Sequence, residues 1–223
     1  MAVAHGTRSA AGIDTVLQTV DAVRTQRPDL DVRPAWIELA EPDVRAALRS
    51  VPVGTSIVLV PLLLASGYHD RVDLPAAVAE TRPDAVRAPV LGPDPLLAEA
   101  LTDRLAAAGL ADADAVVLAG AGSSDPAAVA SVHRQADMLA DRLGRPVTAG
   151  FGSAAGPTVA EAVAEARSRG ADRVAVAPYL LAPGHFADRL ASAGADGVAD
   201  PLGPHPAVVR LVLERYAGGC APG

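Results

Sequence analysis

Two hydrophobic rhythms alternate along the chain. Short runs of β-branched and small apolar residues, such as Ala115-Val-Val-Leu-Ala-Gly120, give way to Ala-rich stretches whose apolar positions recur every three or four residues. The first rhythm predicts strands over 2–5, 32–39, 56–63, 85–90, 115–120, 147–152, 173–179 and 197–199. The second predicts helices over 12–27, 42–49, 74–81, 96–108, 126–143, 157–169, 186–193 and 206–216. Prolines open several of these helices, as their fixed φ favours at a first helical position. Strand–helix alternation of this kind predicts an α/β fold of parallel βαβ units with helices on both faces.

The eight units fall into two sets of four, and the sets share letters. Pro61-Leu-Leu-Leu-Ala-Ser-Gly67 corresponds to Pro178-Tyr-Leu-Leu-Ala-Pro-Gly184, and Glu41-Pro-Asp-Val44 to Gly156-Pro-Thr-Val159. Ala4-His-Gly-Thr-Arg-Ser9 sits where Gly120-Ala-Gly-Ser-Ser-Asp125 sits in the second set. The spacing predicts a duplication: two similar Rossmann-like subdomains, 1–111 and 112–223, each a parallel sheet flanked by helices and related by a pseudo-twofold. The carboxyl ends of their strands would then surround one shared cleft, where open α/β sheets bind ligands.

Composition narrows the function. Half of the 223 residues are apolar, yet the aromatic residues are only Trp36, Tyr68, Phe151, Tyr179, Phe186 and Tyr216, so the core is built from Ala, Val and Leu. A net charge of −7 argues against broad nucleic-acid binding and against a basic membrane-facing surface. No apolar run approaches the ~20 residues that cross a bilayer, and the first residues lack the basic-then-apolar pattern of a signal peptide. With one cysteine, Cys220, there is no internal disulfide. The expected location is the cytoplasm.

The chemistry lies where the two halves differ. The first strand ends in His5 in one half and Ala121 in the other; past the third strand, Ser66-Gly-Tyr-His69 faces Pro183-Gly-His185. Each histidine follows a strand's carboxyl end, beside glycines that admit a ligand close to the backbone. Two imidazoles from neighbouring strand ends can share one late first-row divalent ion, with their nitrogens about 4–5 Å apart. Glu38, opposite Ser153 in the repeat, adds a carboxylate to the same rim. The bland alternatives are a hydrogen-bonded structural His5, a solvated Glu38 and a helix-capping His185; His133 and His205 are read as surface residues. The Gly120-Ala-Gly-Ser-Ser124 turn offers N–H groups and hydroxyls to an anion, but the third glycine and ribose-binding acid of a dinucleotide site are missing. Asp125 is the expected N-cap of the helix entered at Pro126.

His5-Gly-Thr-Arg8, Gly67-Tyr-His-Asp-Arg-Val-Asp-Leu-Pro75, Gly122-Ser-Ser-Asp-Pro126 and Pro178-Tyr-Leu-Leu-Ala-Pro-Gly184 together resemble the sirohydrochlorin and cobalt chelatase family, in its long two-half form. The resemblance spans essentially the whole chain. It implies insertion of a divalent metal, Fe²⁺, Co²⁺ or Ni²⁺, into sirohydrochlorin, the metal being a substrate and no organic cofactor being needed. It implies His5 and His69 as metal ligands and proton acceptors, with Glu38 as helper. Sirohydrochlorin carries many carboxylates, so Arg8, Arg71, Ser123, Ser124 and His185 are the expected anchors. Short members of the family are homodimers, so the duplication implies a monomer. His185 departs from the family pattern and leaves two or three imidazoles open. The competing reading from another class is a metal or tetrapyrrole carrier of the same fold, which would bind without turnover. The water-soluble substrate also implies a cleft without a broad apolar, membrane-binding lip.

Overall fold

The computed structural model describes residues 1–190 and 192–220; Ala191, within the stretch expected as the seventh helix, and 221–223, at the end of the second half, lie outside the described residues. In the first half the order is β1 (Ala2–Ala4), α1 (Ala10–Gln26), β2 (Pro34–Trp36), α2 (Val44–Arg49) and β3 (Val58–Pro61). A π-helical turn (His69–Asp73) follows and runs into α3 (Leu74–Thr81), then β4 (Val86–Arg87) and α4 (Pro95–Ala107). The second half repeats it: β5 (Ala115–Gly120), α5 (Pro126–Leu143), β6 (Val147–Phe151), α6 (Val159–Ser168), β7 (Val174–Tyr179), α7 (His185–Leu190), β8 (Gly197–Val198) and α8 (Pro206–Cys220). Two four-stranded sheets result, ordered β2-β1-β3-β4 and β6-β5-β7-β8, with every pairing parallel. The duplicated α/β architecture is therefore the one the periodicity predicts.

Successive strand residues point to opposite faces, and the core divides accordingly. Val3, Ile57 and Leu59 turn outward against Val44, Leu48 and Leu74 of α2 and α3. Val117, Val174 and Val176 do the same in the second half, against Val159, Val163 and Leu190 of α6 and α7. Their neighbours Ala4, Val58, Val60, Val116, Leu118 and Ala177 turn inward to one continuous core shared by both halves. Short polar side chains start the helices: Ser9, Asp43, Asp94 and Asp125 accept backbone N–H bonds at their caps, and Thr158 with Glu161 forms a reciprocal capping box.

The inner layer is not divided at the sequence boundary. Helix α4 packs on α5 and β7 of the second half, while α8 packs on β3 and β4 of the first. Polar contacts repeat the exchange. Arg104 of α4 donates to the Leu202 carbonyl, and Arg215 of α8 donates to Val90 and Leu91 carbonyls and to Asp94. Gln135, fully buried, accepts from the Asp94 N–H and donates to its carbonyl.

Several elements differ from expectation. β2 covers only Pro34–Trp36, although Ile37 and Glu38 still donate to the Ala4 and His5 carbonyls; the chain turns away at Leu39 (φ 64°), mirrored by Ala154 (φ 55°). β4 keeps two residues; the pairing lapses at Pro89, after the Ala88 N–H donates to the Leu59 carbonyl. The π-helical turn occupies a stretch read as loop. His205 is not a surface residue: its Nδ1 accepts the Ala207 N–H at the start of α8 and its Nε2 lies 3.2 Å from Asp103. It takes the capping place that Asp94 holds before α4. His133 is exposed, as expected, with its ring near Phe151.

Candidate metal centre and cleft

In each sheet the chain reverses its direction of winding between its first and third strands, so the switch point of the first half lies between β1 and β3. Ligands collect outside the carboxyl ends of strands at such points. His5 follows β1 and His69 opens the π-helical turn beyond β3, so both flank it. Their rings meet edge to face with centroids 4.4 Å apart. Glu38 arrives from the end of β2, where Ile37 and Glu38 N–H groups donate to the Ala4 and His5 carbonyls. Gly6 makes this approach possible: it has φ 112°, and a Cβ there would stand 1.7 Å from the Glu38 carbonyl oxygen.

One ligand atom each from His5, Glu38 and His69 lies within 4.8 Å of the others, and His5 Nε2 is 3.7 Å from Glu38 Oε1. Two nitrogens sharing a first-row ion are at most about 4.4 Å apart, so slight side-chain rotation brings the three to one ion. His69 Nδ1 lies 2.7 Å from Asp73 Oδ2. The turn that carries His69 is fixed on its buried side: Asp70 accepts from Ser66 (2.6 Å) and pairs with Arg87.

His5 and His69 open into a cavity of about 1050 Å³ lined by both halves, at the large end of ligand-pocket sizes; Glu38 stands beside His5 but does not line it. Arg8, Ser123, Ser124 and His185 line it. Arg71 does not: its guanidinium pairs with Asp125, whose other oxygen caps α5. His185 is exposed at the first turn of α7 and stands outside the His5–Glu38–His69 group. The cavity also presents side chains that polar-residue reasoning passes over. Leu39, Tyr68 and Phe186 are exposed on it, so the rim is not free of apolar groups, two of them aromatic. Tyr179 lies at its base, and burial pushes its phenol well above the ordinary range. It therefore stays protonated and donates to the Leu64 carbonyl across the halves. Asp73 had a readable signal, a carboxylate four residues after His69; Tyr179 had none beyond its place in the repeat. Among the described residues no helix is long and apolar enough to cross a membrane.

Comparison with known proteins gives the same two-half picture. The CbiX family model matches residues 1–108 and again 115–218. A sirohydrochlorin ferrochelatase of Priestia megaterium is 29% identical over 96% of this chain and 87% of its own length. A sirohydrochlorin cobaltochelatase of the same organism is 26% identical over 84% of this chain and 65% of its own length. The structure of SirB from Bacillus subtilis with Fe³⁺ superposes with a TM-score of 0.83 at 23% identity, over 99% of this chain and 94% of that one. Matched in both of its halves, the chain belongs to the CbiX family of chelatases, in its long two-half form.

Proposed function

We propose that the protein is a lyase that inserts a divalent metal into sirohydrochlorin, with His5 and His69 holding the ion and Glu38 beside them taking up protons. The observation that carries this reading is the convergence of those three side chains, two of which, His5 and His69, line a cavity of about 1050 Å³. Two imidazoles and one carboxylate leave coordination positions open on a first-row ion, and pyrrole nitrogens can fill these stepwise. The reaction exchanges two pyrrole protons for one doubly charged ion, so charge on the ring complex is conserved. Glu38, and each imidazole as it releases the metal, stand where those protons leave.

The rings of Tyr68 and Phe186 and the apolar Leu39 suit the faces of a macrocycle, while Arg8, Ser123, Ser124 and His185 suit its carboxylates. Arg71 joins them only by leaving Asp125. The donor set accepts Fe²⁺, Co²⁺ and Ni²⁺ alike, and metal supply rather than the site selects among them. On this reading the protein acts as a monomer, because one chain supplies both walls of the cavity.

The test is anaerobic incubation with excess sirohydrochlorin and Fe²⁺, Co²⁺ or Ni²⁺, following the absorbance change on metallation. Many equivalents should convert, and His5→Ala and His69→Ala should each abolish conversion while folding survives, since Ala121 already occupies the position equivalent to His5. Conversion of a single equivalent would identify a carrier; wild-type turnover in His5→Ala would remove the metal-centre reading.

A further inference from the structure

We propose that Asp73 is the positioning residue of the metal centre: it holds His69 in the tautomer and orientation that offer Nε2 to the metal. The inference rests on the reading of His69 as a metal ligand. Asp73 Oδ2 stands 2.7 Å from His69 Nδ1, at the far end of the same π-helical turn. A carboxylate accepts, so Nδ1 carries the proton and donates, and Nε2 is the nitrogen left with a free lone pair. A carboxylate behind a metal-bound imidazole fixes both ring angle and tautomer. Asp73 is itself held in place: it is the last residue of the turn, directly before Leu74 of α3, which is fully buried.

The second half supplies an internal control. His69-Asp-Arg-Val-Asp-Leu74 corresponds to His185-Phe-Ala-Asp-Arg-Leu190, so the place of Asp73 is taken by Arg189. A guanidinium has donors only and cannot accept an imidazole N–H. His185 lines the same cavity but stands outside the converging group. The two halves therefore differ in the support behind the imidazole as well as at the His5/Ala121 position. Both sides of the cleft present a histidine, and among the described residues a carboxylate lies within hydrogen-bond distance behind only His69.

The experiment titrates the full-length chain with Co²⁺ alone, reading visible absorbance, and measures kcat and KM for sirohydrochlorin with Co²⁺ in parallel. Asp73→Ala should weaken Co²⁺ binding roughly 10–100-fold and lower kcat, with KM for the tetrapyrrole and the thermal midpoint near wild type. Asp73→Asn, whose amide oxygen still accepts the N–H, should lose less. His69→Ala and His69→Ala/Asp73→Ala should bind Co²⁺ equally, because Asp73 acts through His69. Wild-type Co²⁺ affinity in Asp73→Ala, or a further loss when Asp73→Ala is added to His69→Ala, would overturn the proposal. If His69→Ala itself leaves Co²⁺ binding and turnover unchanged, the fault lies in the metal-centre reading instead. Should Asp73→Ala not fold, Asp73→Leu, which keeps the bulk and removes the acceptor, decides: wild-type Co²⁺ affinity in folded Asp73→Leu would overturn the proposal.

Discussion

Gly6 and Gly122 occupy the same place in the two halves, and one methyl group separates their roles. A Cβ on Gly6 would stand 1.7 Å from the Glu38 carbonyl oxygen, and one on Gly122 1.8 Å from that of Ser153. Since real Cβ contacts do not fall below 3.0 Å, either alanine displaces its neighbour by at least about 1.2 Å. Both glycines also have positive φ, 112° and 96°, which costs an L-residue roughly 1–2 kcal/mol. With about 1–3 kcal/mol for the overlap, each variant should lose about 2–5 kcal/mol, a fall in Tm of roughly 5–15 °C for a chain of this size. Function should divide them. Gly6→Ala moves Glu38 away from His5, and a displacement of about 1 Å in a reacting constellation costs on the order of 10²-fold in rate. Gly122→Ala moves Ser153 and the Ser123–Ser124 turn, so it should mainly raise KM for the tetrapyrrole. The assay is steady-state metallation on protein shown to be folded by thermal unfolding. Equal kcat losses in the two variants, or wild-type kcat in a folded Gly6→Ala, would refute the reasoning.

Two further predictions concern the exchanged helices. Burial holds the His205 imidazole below its ordinary pKa, against the pull of Asp103, and a proton on Nδ1 would remove the acceptor that caps α8. The unfolded chain takes that proton near pH 6.5, so the stability His205 contributes is complete above that pH and is lost as pH falls through the lower folded value. His205→Asn, a pH-independent cap, should therefore gain on wild type between pH 7 and 5 in urea unfolding; a constant difference would contradict this. Arg215→Met strips three hydrogen bonds and leaves Asp94 unpaired, so it should cost about 2–4 kcal/mol after allowance for partial exposure, whereas Arg104→Met, with one carbonyl at stake, should cost about 1–2 kcal/mol. The reverse order in urea unfolding would count against the assigned contacts.

The legible parts of the molecule are those in which local pattern and tertiary demand agree. β5 and α5 match the predicted ranges because an apolar run flanked by turns, and an amphipathic stretch opened by Asp125-Pro126, admit one reading each. The convergence of His5, Glu38 and His69 was legible because strand ends and the repeat locate them without any knowledge of packing. What periodicity does not encode is the partner of a buried face. The apolar stripe of α8 says that Leu211 and Val212 are buried, not that they are buried in the opposite half. The same gap explains why α8 runs on through Gly218 and Gly219: a Cβ on Gly219 would meet Val58 at 2.7 Å, so glycine there serves a contact with the other half rather than a helix stop. Arg71 was read as free for substrate because its partner, Asp125, is 54 residues away in sequence. Asp73 was visible in the motif, but the π-helical turn that aims it at His69 was not.

The crossing of α4 and α8 also decides how the protein meets its substrate. Halves joined only by a linker can open and shut about it. Here such a motion would slide α4 across β7 and α8 across β3, tearing the shared inner core and the hydrogen bonds of Arg104, Arg215 and Gln135. Packed interiors yield in discrete rearrangements rather than by gradual flexing. The cleft is thus a slot of set width, gauged by a layer of helices that neither half owns. On the proposed function, a macrocycle is selected by whether it fits between the walls, and whatever adjusts to it lies at the rim, in the turn that carries His69 and in the short α7.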